Sequence, residues 1–202
     1  MKKKLQLAAF LFYGLCIFYS CENHAQKKTM TCETYNEKFI DYEMENQPDL
    51  ALIYIDKAIE CSSEKPEGKQ FYKFSKVNFL IRQKEFERAS KILNTFNLKE
   101  ELALQIMDAT LDMKIGRDSV DEKLRLSYDK INHSSSQKEI EVLIYKIALD
   151  NYFKGKEYAL SEINKVKKVH TDYNSKLLIS TVEASVKEKT KEDVFFRLFN
   201  FE

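Results

Sequence analysis

The chain has 202 residues and a formal net charge of +1, with 32% charged residues. This balance gives no electrostatic basis for binding nucleic acid or another acidic polymer. Apolar residues make up 44% of the chain, and there are only four Gly and two Pro. Few turn-forming residues together with many Lys, Glu, Leu and Ile favour helices over sheets. The composition predicts an all-α domain of ordinary size.

The N-terminus has the layout of an export signal. Three lysines at positions 2–4 precede an apolar run over residues 5–18, which is the arrangement of a secretory signal peptide. The run is shorter than the roughly 20 apolar residues that a membrane-spanning helix requires. We therefore predict a signal peptide over residues 1–20 and export of the remainder of the chain.

The apolar run ends in the sequence Phe-Tyr-Ser-Cys at residues 18–21. This resembles the signal of bacterial lipoproteins, in which a small residue precedes a cysteine that is lipidated and becomes the mature N-terminus. Ser20 fits that pattern, whereas the Phe and Tyr before it depart from it. The resemblance implies lipidation of Cys21, a tether over residues 21–29 and a membrane-anchored lipoprotein on the periplasmic or surface face of the cell envelope. Cleavage after residue 25 or 26 would instead release a soluble periplasmic or secreted protein. A further alternative is an uncleaved anchor in which Cys21 is an ordinary residue.

From residue 30 onward the chain reads as a domain of about ten helices, residues 30–202, with short polar breaks. Apolar residues at helical spacing predict helices over residues 30–45, 48–61, 67–82, 85–96, 99–115, 118–131, 136–153 and 157–170, and two more beginning after Thr171 and Thr190. Gly116 suits a left-handed C-terminal cap. Ser136 and Glu139 form a capping box, and the two threonines suit N-caps.

A small or apolar triplet recurs along these helices at spacings of 38, 31 and 39 residues. Two-helix units of this length are typical of helical solenoids. The triplets are Ala51, Ile55 and Ala58; Ala89, Leu93 and Phe96; Val120, Leu124 and Ser127; and Ala159, Ile163 and Val166.

Over residues 32–190 the pattern resembles the tetratricopeptide repeat family. The resemblance implies a right-handed superhelical solenoid of antiparallel helix hairpins. Phe39, Val77 and Ile147 stand where that family uses a small residue, and its unit-ending proline is absent. The domain is therefore a divergent, tetratricopeptide-like one, and the alternative is an irregular helical bundle whose alanines recur by chance.

Two cysteines, Cys32 and Cys61, lie in the helical domain. The start of one helix lies beside the end of the next in an antiparallel hairpin, and these residues occupy those two positions in the first pair. Export would place both in an oxidising compartment. The sequence thus favours a disulfide between them, and the alternative is two free thiols.

No catalytic or cofactor-binding pattern is present. None of His24, His133 and His170 has a second His or a Cys at metal-ligand spacing on a helix, and no glycine-rich phosphate loop or nucleophile turn occurs. We predict no metal, no cofactor and no enzymatic activity.

In tetratricopeptide-like domains the first helix of each unit lines a concave groove. The resemblance implies a partner-binding groove suited to an extended peptide or a partner helix, and the alternative is a solenoid wall without a ligand. The residues implied are Asn36, Glu43, Phe74, Asn78, Arg82, Asp112, Asn151 and Tyr152. The final helix, rich in Phe, is expected to cap the stack by burying its Phe face, or alternatively to dock another protein.

These features together predict an interaction module or scaffold of the cell envelope, whose partner is an envelope protein or peptide. A lipoprotein that binds glycan or peptide substrates for uptake is the alternative function, and the absence of Trp argues against sugar stacking. A helical enzyme is the least favoured class, because it would require a pair of carboxylates facing across a cleft.

Overall fold

The computed structural model describes residues 30–98, 101–133 and 139–201. Within these ranges the chain forms ten α-helices and no strand, so the all-helical prediction is confirmed. The helices are α1 Cys32–Met44, α2 Pro48–Cys61, α3 Pro66–Arg82, α4 Phe86–Leu93, α5 Leu102–Ile115, α6 Val120–Asn132, α7 Ile140–Lys154, α8 Lys156–Val169, α9 Tyr173–Glu188 and α10 Lys191–Leu198.

Several helices begin at a proline or at a residue whose side chain caps the first turn. Pro48 and Pro66 occupy the first positions of α2 and α3, where a missing N–H costs nothing. The hydroxyl of Thr190 caps α10 as predicted. The expected cap of α9 was wrong by one residue: the carboxylate of Asp172, not Thr171, accepts the bond from the Ser175 N–H.

Of the predicted capping box before α7, Ser136 lies outside the described residues. Glu139 is the N-cap of that helix and makes no capping bond with its side chain.

The turns that follow α1, α3 and α5 share one conformation. Each contains a residue in the left-handed region: Asn46 with φ 56°, Lys84 with φ 60° and Gly116 with φ 72°. In each turn this residue donates its N–H to the carbonyl three residues back, and the next residue donates to the carbonyl five residues back. This is the Schellman motif, which satisfies the last carbonyls of a helix. Gly155, with φ 89°, follows α7.

The core consists of three clusters arranged along the chain. The first joins α1, α2 and α3, the second joins α3, α4 and α5, and the third extends from α5 to α10. Each helix packs against the next. Every member of the four recurring triplets is at most 9% exposed, so the residues that recur in the sequence are core positions.

The first helix pair is closed by a disulfide. Cys32 at the start of α1 and Cys61 at the end of α2 are bonded, with their Cα atoms 5.4 Å apart. The predicted pairing is therefore confirmed. In the cluster that joins α1, α2 and α3, Phe39 of α1 meets Phe79 of α3 edge to face, with ring centroids 5.5 Å apart.

In the ranges that the structure describes, no helix is long and apolar enough to cross a membrane. The predicted signal peptide, the lipidation site Cys21 and the tether over residues 21–29 lie outside the described residues.

Candidate interaction surface

The last helix does not simply extend the chain beyond α9. It turns back and packs against α7 and α5 as well as α9. Val194 and Phe195 of α10 are buried, and so is Phe201, which is 2% exposed. The expected burial of the Phe face is observed, but it takes place against the earlier helices. We call residues 191–201 the C-terminal tail.

Aromatic contacts fix the C-terminal tail along its length. Phe195 meets the ring of Tyr152 on α7 at a centroid distance of 5.9 Å. Phe199 stacks on Tyr145 of the same helix at 6.0 Å. Ring pairs of this kind contribute roughly 0.5–1.5 kcal/mol each beyond the area that they bury. The tail is thus anchored at successive points.

The end of the tail reaches the middle of the domain. Phe201 packs among the core residues of α3, α4 and α5. It is held there by a fourth Schellman motif, in which Asn200 has φ 56° and the Phe201 N–H donates to the Phe196 carbonyl over 2.8 Å. The ammonium of Lys114 on α5 lies 3.8 Å from the ring centroid of Phe196. This cation–π contact also holds the tail against α5.

A cavity of about 240 Å³ lies between α3, α5 and the tail. Its polar side chains are Asn78 and Arg82 of α3 and Asn200 of the tail, and its apolar walls are Ile81, Met107, Leu198 and Phe199. Arg82 also forms an ion pair with Glu43 of α1, and 48% of its side chain is exposed. Three of the eight groove residues implied by the sequence therefore lie together: Asn78 and Arg82 at the cavity, and Glu43 through its ion pair with Arg82.

The other five implied groove residues have different surroundings. Tyr152 is covered by Phe195 and donates its hydroxyl to Asp121 over 2.6 Å, and Phe74 meets Phe96 edge to face. Asn36 is partly exposed on α1. Asp112 and Asn151 are buried, at 0% and 5% exposure.

Asp112 belongs to a charge cluster between α5 and α6. Its carboxylate accepts from the Arg117 guanidinium over 2.9 Å and from the Ser119 hydroxyl over 2.8 Å. Lys123 bridges Asp112 and Asp108. Burial opposes the charge of Asp112, but the bonds from Lys123 and Ser119 outweigh it and lower the pKa of this carboxyl. Burial also opposes the charge of Lys123, yet the two aspartates raise its pKa. Both groups are therefore held in their charged forms.

A second buried carboxylate, Asp150, ties α7 to α6. It accepts from the ammonium groups of Lys146 over 2.6 Å and Lys154 over 3.0 Å, and from the hydroxyl of Tyr128 on α6. Burial opposes its ionisation, but these three donors lower the pKa of Asp150. Each of these donors satisfies a lone pair that would be costly to bury alone.

Sequence reasoning missed the buried carboxylates of Asp108 and Asp150 and the partly exposed Lys123 that pairs with Asp108. A signal was present, because these aspartates interrupt otherwise apolar helices: Asp108 follows Met107, and Asp150 follows Leu149. A buried ionised side chain at such a position requires a charged or hydrogen-bonding partner.

Among the described residues there is no group of three or more His, Cys, Asp or Glu that could hold a metal ion. His133 makes a local bond of 2.7 Å to the carbonyl of Asp129.

The chain matches no family model, and comparisons with curated proteins and with solved structures give no significant match.

Proposed function

We propose that this protein is an exported, lipid-anchored helical-repeat protein that acts as an interaction module or scaffold for other proteins of the cell envelope. In this proposal the helices form a right-handed, tetratricopeptide-like solenoid attached to the membrane through Cys21. The consecutive packing of the helices and the left-handed turns at Asn46, Lys84 and Gly116 support a repeated hairpin.

The observation that carries the binding role is the cavity between α3, α5 and the tail. Its Asn78 and Asn200 amides offer both donors and acceptors to the backbone of an extended segment. The exposed part of Arg82 offers a charge at its edge.

Export and anchoring are tested by labelling cells with an alkyne-bearing fatty acid and analysing the mature N-terminus by mass spectrometry. We expect label on the wild type and none on Cys21→Ala. An unlabelled wild type that begins at residue 26 or 27 would leave the protein exported but without a lipid anchor.

The binding role is tested by crosslinking in intact cells, followed by affinity capture from solubilised envelopes. We expect an envelope protein that the wild type captures and that Asn78→Ala combined with Arg82→Ala loses. Lys168→Ala, at an exposed position on α8, serves as the matched surface control and retains the partner. If the double variant captured the same proteins in the same amounts, the cavity would have no part in binding.

A further inference from the structure

A group of large apolar side chains is exposed where α8 ends and α9 begins. Val169, the last residue of α8, is 75% exposed, and Tyr173, the first residue of α9, is 79% exposed. Leu177 is 56% exposed and lies four positions after Tyr173, on the same face of α9. Single exposed apolar residues are common, but a group of them marks a contact with a partner or a membrane. We call these three residues the corner patch.

The chain around the corner patch is positively charged. Residues 162–178 contain four Lys, one Asp and one Glu, a net charge of +2. The Glu pairs with Lys165, and Lys176 is exposed one turn after Tyr173. In proteins that bind a membrane surface, apolar side chains enter the bilayer while neighbouring ammonium groups stay at the level of the lipid phosphates. The charge of the corner therefore favours an anionic lipid surface.

The helices alternate in direction, so the turns lie at two opposite edges of the array. Side chains near the ends of the odd-numbered helices contact each other or the starts of even-numbered helices. These contacts are Glu43 of α1 with Arg82 of α3, Lys114 of α5 with Phe86 of α4, Tyr152 of α7 with Asp121 of α6, and the carbonyl of Lys187 of α9 with Lys156 of α8. The starts of the odd-numbered helices therefore lie at the other edge. We call it the disulfide edge, because it includes Cys32 and Cys61. The turn between α8 and α9 lies at the same edge.

The predicted tether also leads to the disulfide edge. The described chain begins at Met30, two residues before Cys32. Met30 is nine positions after Cys21, and a fully extended segment of this length spans about 30 Å at most. A lipid on Cys21 would therefore keep the disulfide edge close to the bilayer. The tether joins the first helix of the packed series, and the corner patch lies near the end of that series.

We propose that the corner patch is a membrane-contact site for the surface of an anionic phospholipid bilayer. Val169 and Tyr173 insert below the headgroups, and Lys176 pairs with a lipid phosphate. The orientation of the domain in this proposal rests on the proposed anchor at Cys21, whereas insertion of the patch does not require it. Two contacts along one edge hold the domain in a fixed orientation. The cavity that contains Arg82, at the opposite edge, then points away from the bilayer.

The first test is flotation with vesicles. The protein is the mature chain from residue 21 with Cys21→Ser, which carries no acyl chain. We expect it to float with equimolar phosphatidylcholine and phosphatidylglycerol in about 0.1 M NaCl. Binding to pure phosphatidylcholine, or to the anionic vesicles in about 0.5 M NaCl, should be about tenfold weaker, because the attraction to lipid phosphates is missing or screened. Equal binding under all three conditions, or no binding to the anionic vesicles, would overturn the proposal.

Val169→Ser combined with Tyr173→Ser removes the apolar contact at two exposed positions and leaves the core untouched. We expect at least tenfold weaker binding to the anionic vesicles, on the order of the transfer free energy of the lost apolar surface, with an unchanged thermal midpoint. The matched control is Met44→Ser combined with Ile53→Ser. These side chains are 74% and 48% exposed, and Met44 ends α1 at the opposite edge. Equal losses in the two double variants would mean that any exposed apolar residue binds the vesicles, and would refute a specific site.

Fluorescence locates the contact. The chain has no Trp, so one introduced Trp reports on a single position. Tyr173→Trp should show a blue-shifted emission with the anionic vesicles and quenching by brominated acyl chains, and Met44→Trp should show neither. Flotation without this response would place the membrane contact elsewhere and overturn the proposal. So would a dimer, detected by sedimentation without lipid, that the corner variant abolishes while vesicle binding stays the same, because the patch would then be covered by a second copy.

The two proposals fail separately. Fatty-acid labelling reports on Cys21, whereas flotation of the unacylated chain reports on the corner patch. A labelled wild type whose unacylated form does not float would keep the lipid anchor and overturn the membrane-contact site. Flotation together with an unlabelled wild type would support the contact site and remove the anchor.

Discussion

The ring of Phe201 stacks on the ring of Phe86 at the first position of α4, with centroids 5.9 Å apart. One aromatic residue of the tail therefore completes a core built from α3, α4 and α5. Phe199 packs against that cluster and against the cluster that continues to α10. The tail thereby joins two cores that also share residues of α5.

The first prediction concerns this contact. Phe201→Ala should lower the free energy of unfolding by about 3 kcal/mol, because it removes a buried aromatic ring and leaves a cavity. Phe71→Ala, at a side chain that is 61% exposed, should change it by less than about 0.5 kcal/mol. Urea unfolding followed by circular dichroism measures both. Equal midpoints for the two variants would mean that the tail does not contribute to the core.

The second prediction concerns the turn after α3. Lys84 has φ 60°, a conformation that costs a residue with a side chain roughly 1–2 kcal/mol and costs glycine little. Lys84→Gly should therefore raise the free energy of unfolding by about 1 kcal/mol. Lys84→Ala removes the same side chain without this relief and serves as the control. A Gly variant less stable than the Ala variant would contradict the left-handed assignment.

The third prediction concerns the disulfide. Cys32 and Cys61 are separated by 29 residues, and closing a loop of this length stabilises a fold by about 3 kcal/mol through the entropy of the unfolded chain. Replacing both cysteines with Ser should lower the free energy of unfolding by about that amount. Dithiothreitol should destabilise the wild type to the same level and leave the double variant unchanged. An effect of the reductant on the double variant would point to a different cause.

The fourth prediction concerns acid stability. The pKa of Asp150 in the folded protein lies below its ordinary value of 3.8, so its contribution to stability is fully present above that value and is lost as the pH falls through the folded pKa. Asp150→Asn should cost about 2 kcal/mol at pH 7 and should flatten the loss of stability between about pH 5 and pH 2.

Asp118→Asn is the matched control for that experiment, since Asp118 is exposed. Its unfolding curve should follow that of the wild type at every pH. Thermal unfolding across the acid range measures all three proteins. A wild type and an Asp150→Asn variant with parallel acid profiles would show that Asp150 does not control the loss.

Much of the helical layout is predictable from the sequence, because its signals are local. Pro48 and Gly116 mark a helix start and a helix end, and α2 has the predicted bounds. The cap of α9 was misplaced because Thr171 and Asp172 are adjacent residues that both favour such a position, and apolar spacing does not distinguish them. The disulfide prediction came from placing Cys32 and Cys61 on a helical hairpin.

The surroundings of the site were not predictable in the same way. The spacing of the Phe residues in the tail shows that one face is apolar, but it does not show which surface that face covers. The apolar neighbours of Asp108 in the sequence indicate that its charge needs a partner, but they do not identify that partner as Lys123 of the next helix. Contacts between separate elements determine both features, and periodicity within one element does not reveal which elements meet.

The place of Phe201 also has a consequence for the order of events in folding. In a stack of helices that touch only their neighbours, each pair can settle as soon as it has formed. Here the core around α3, α4 and α5 stays incompletely packed until the ring of Phe201 has inserted into it. If the chain crosses a membrane from its N-terminus, the middle of the domain therefore reaches its final packing only after α10 has crossed.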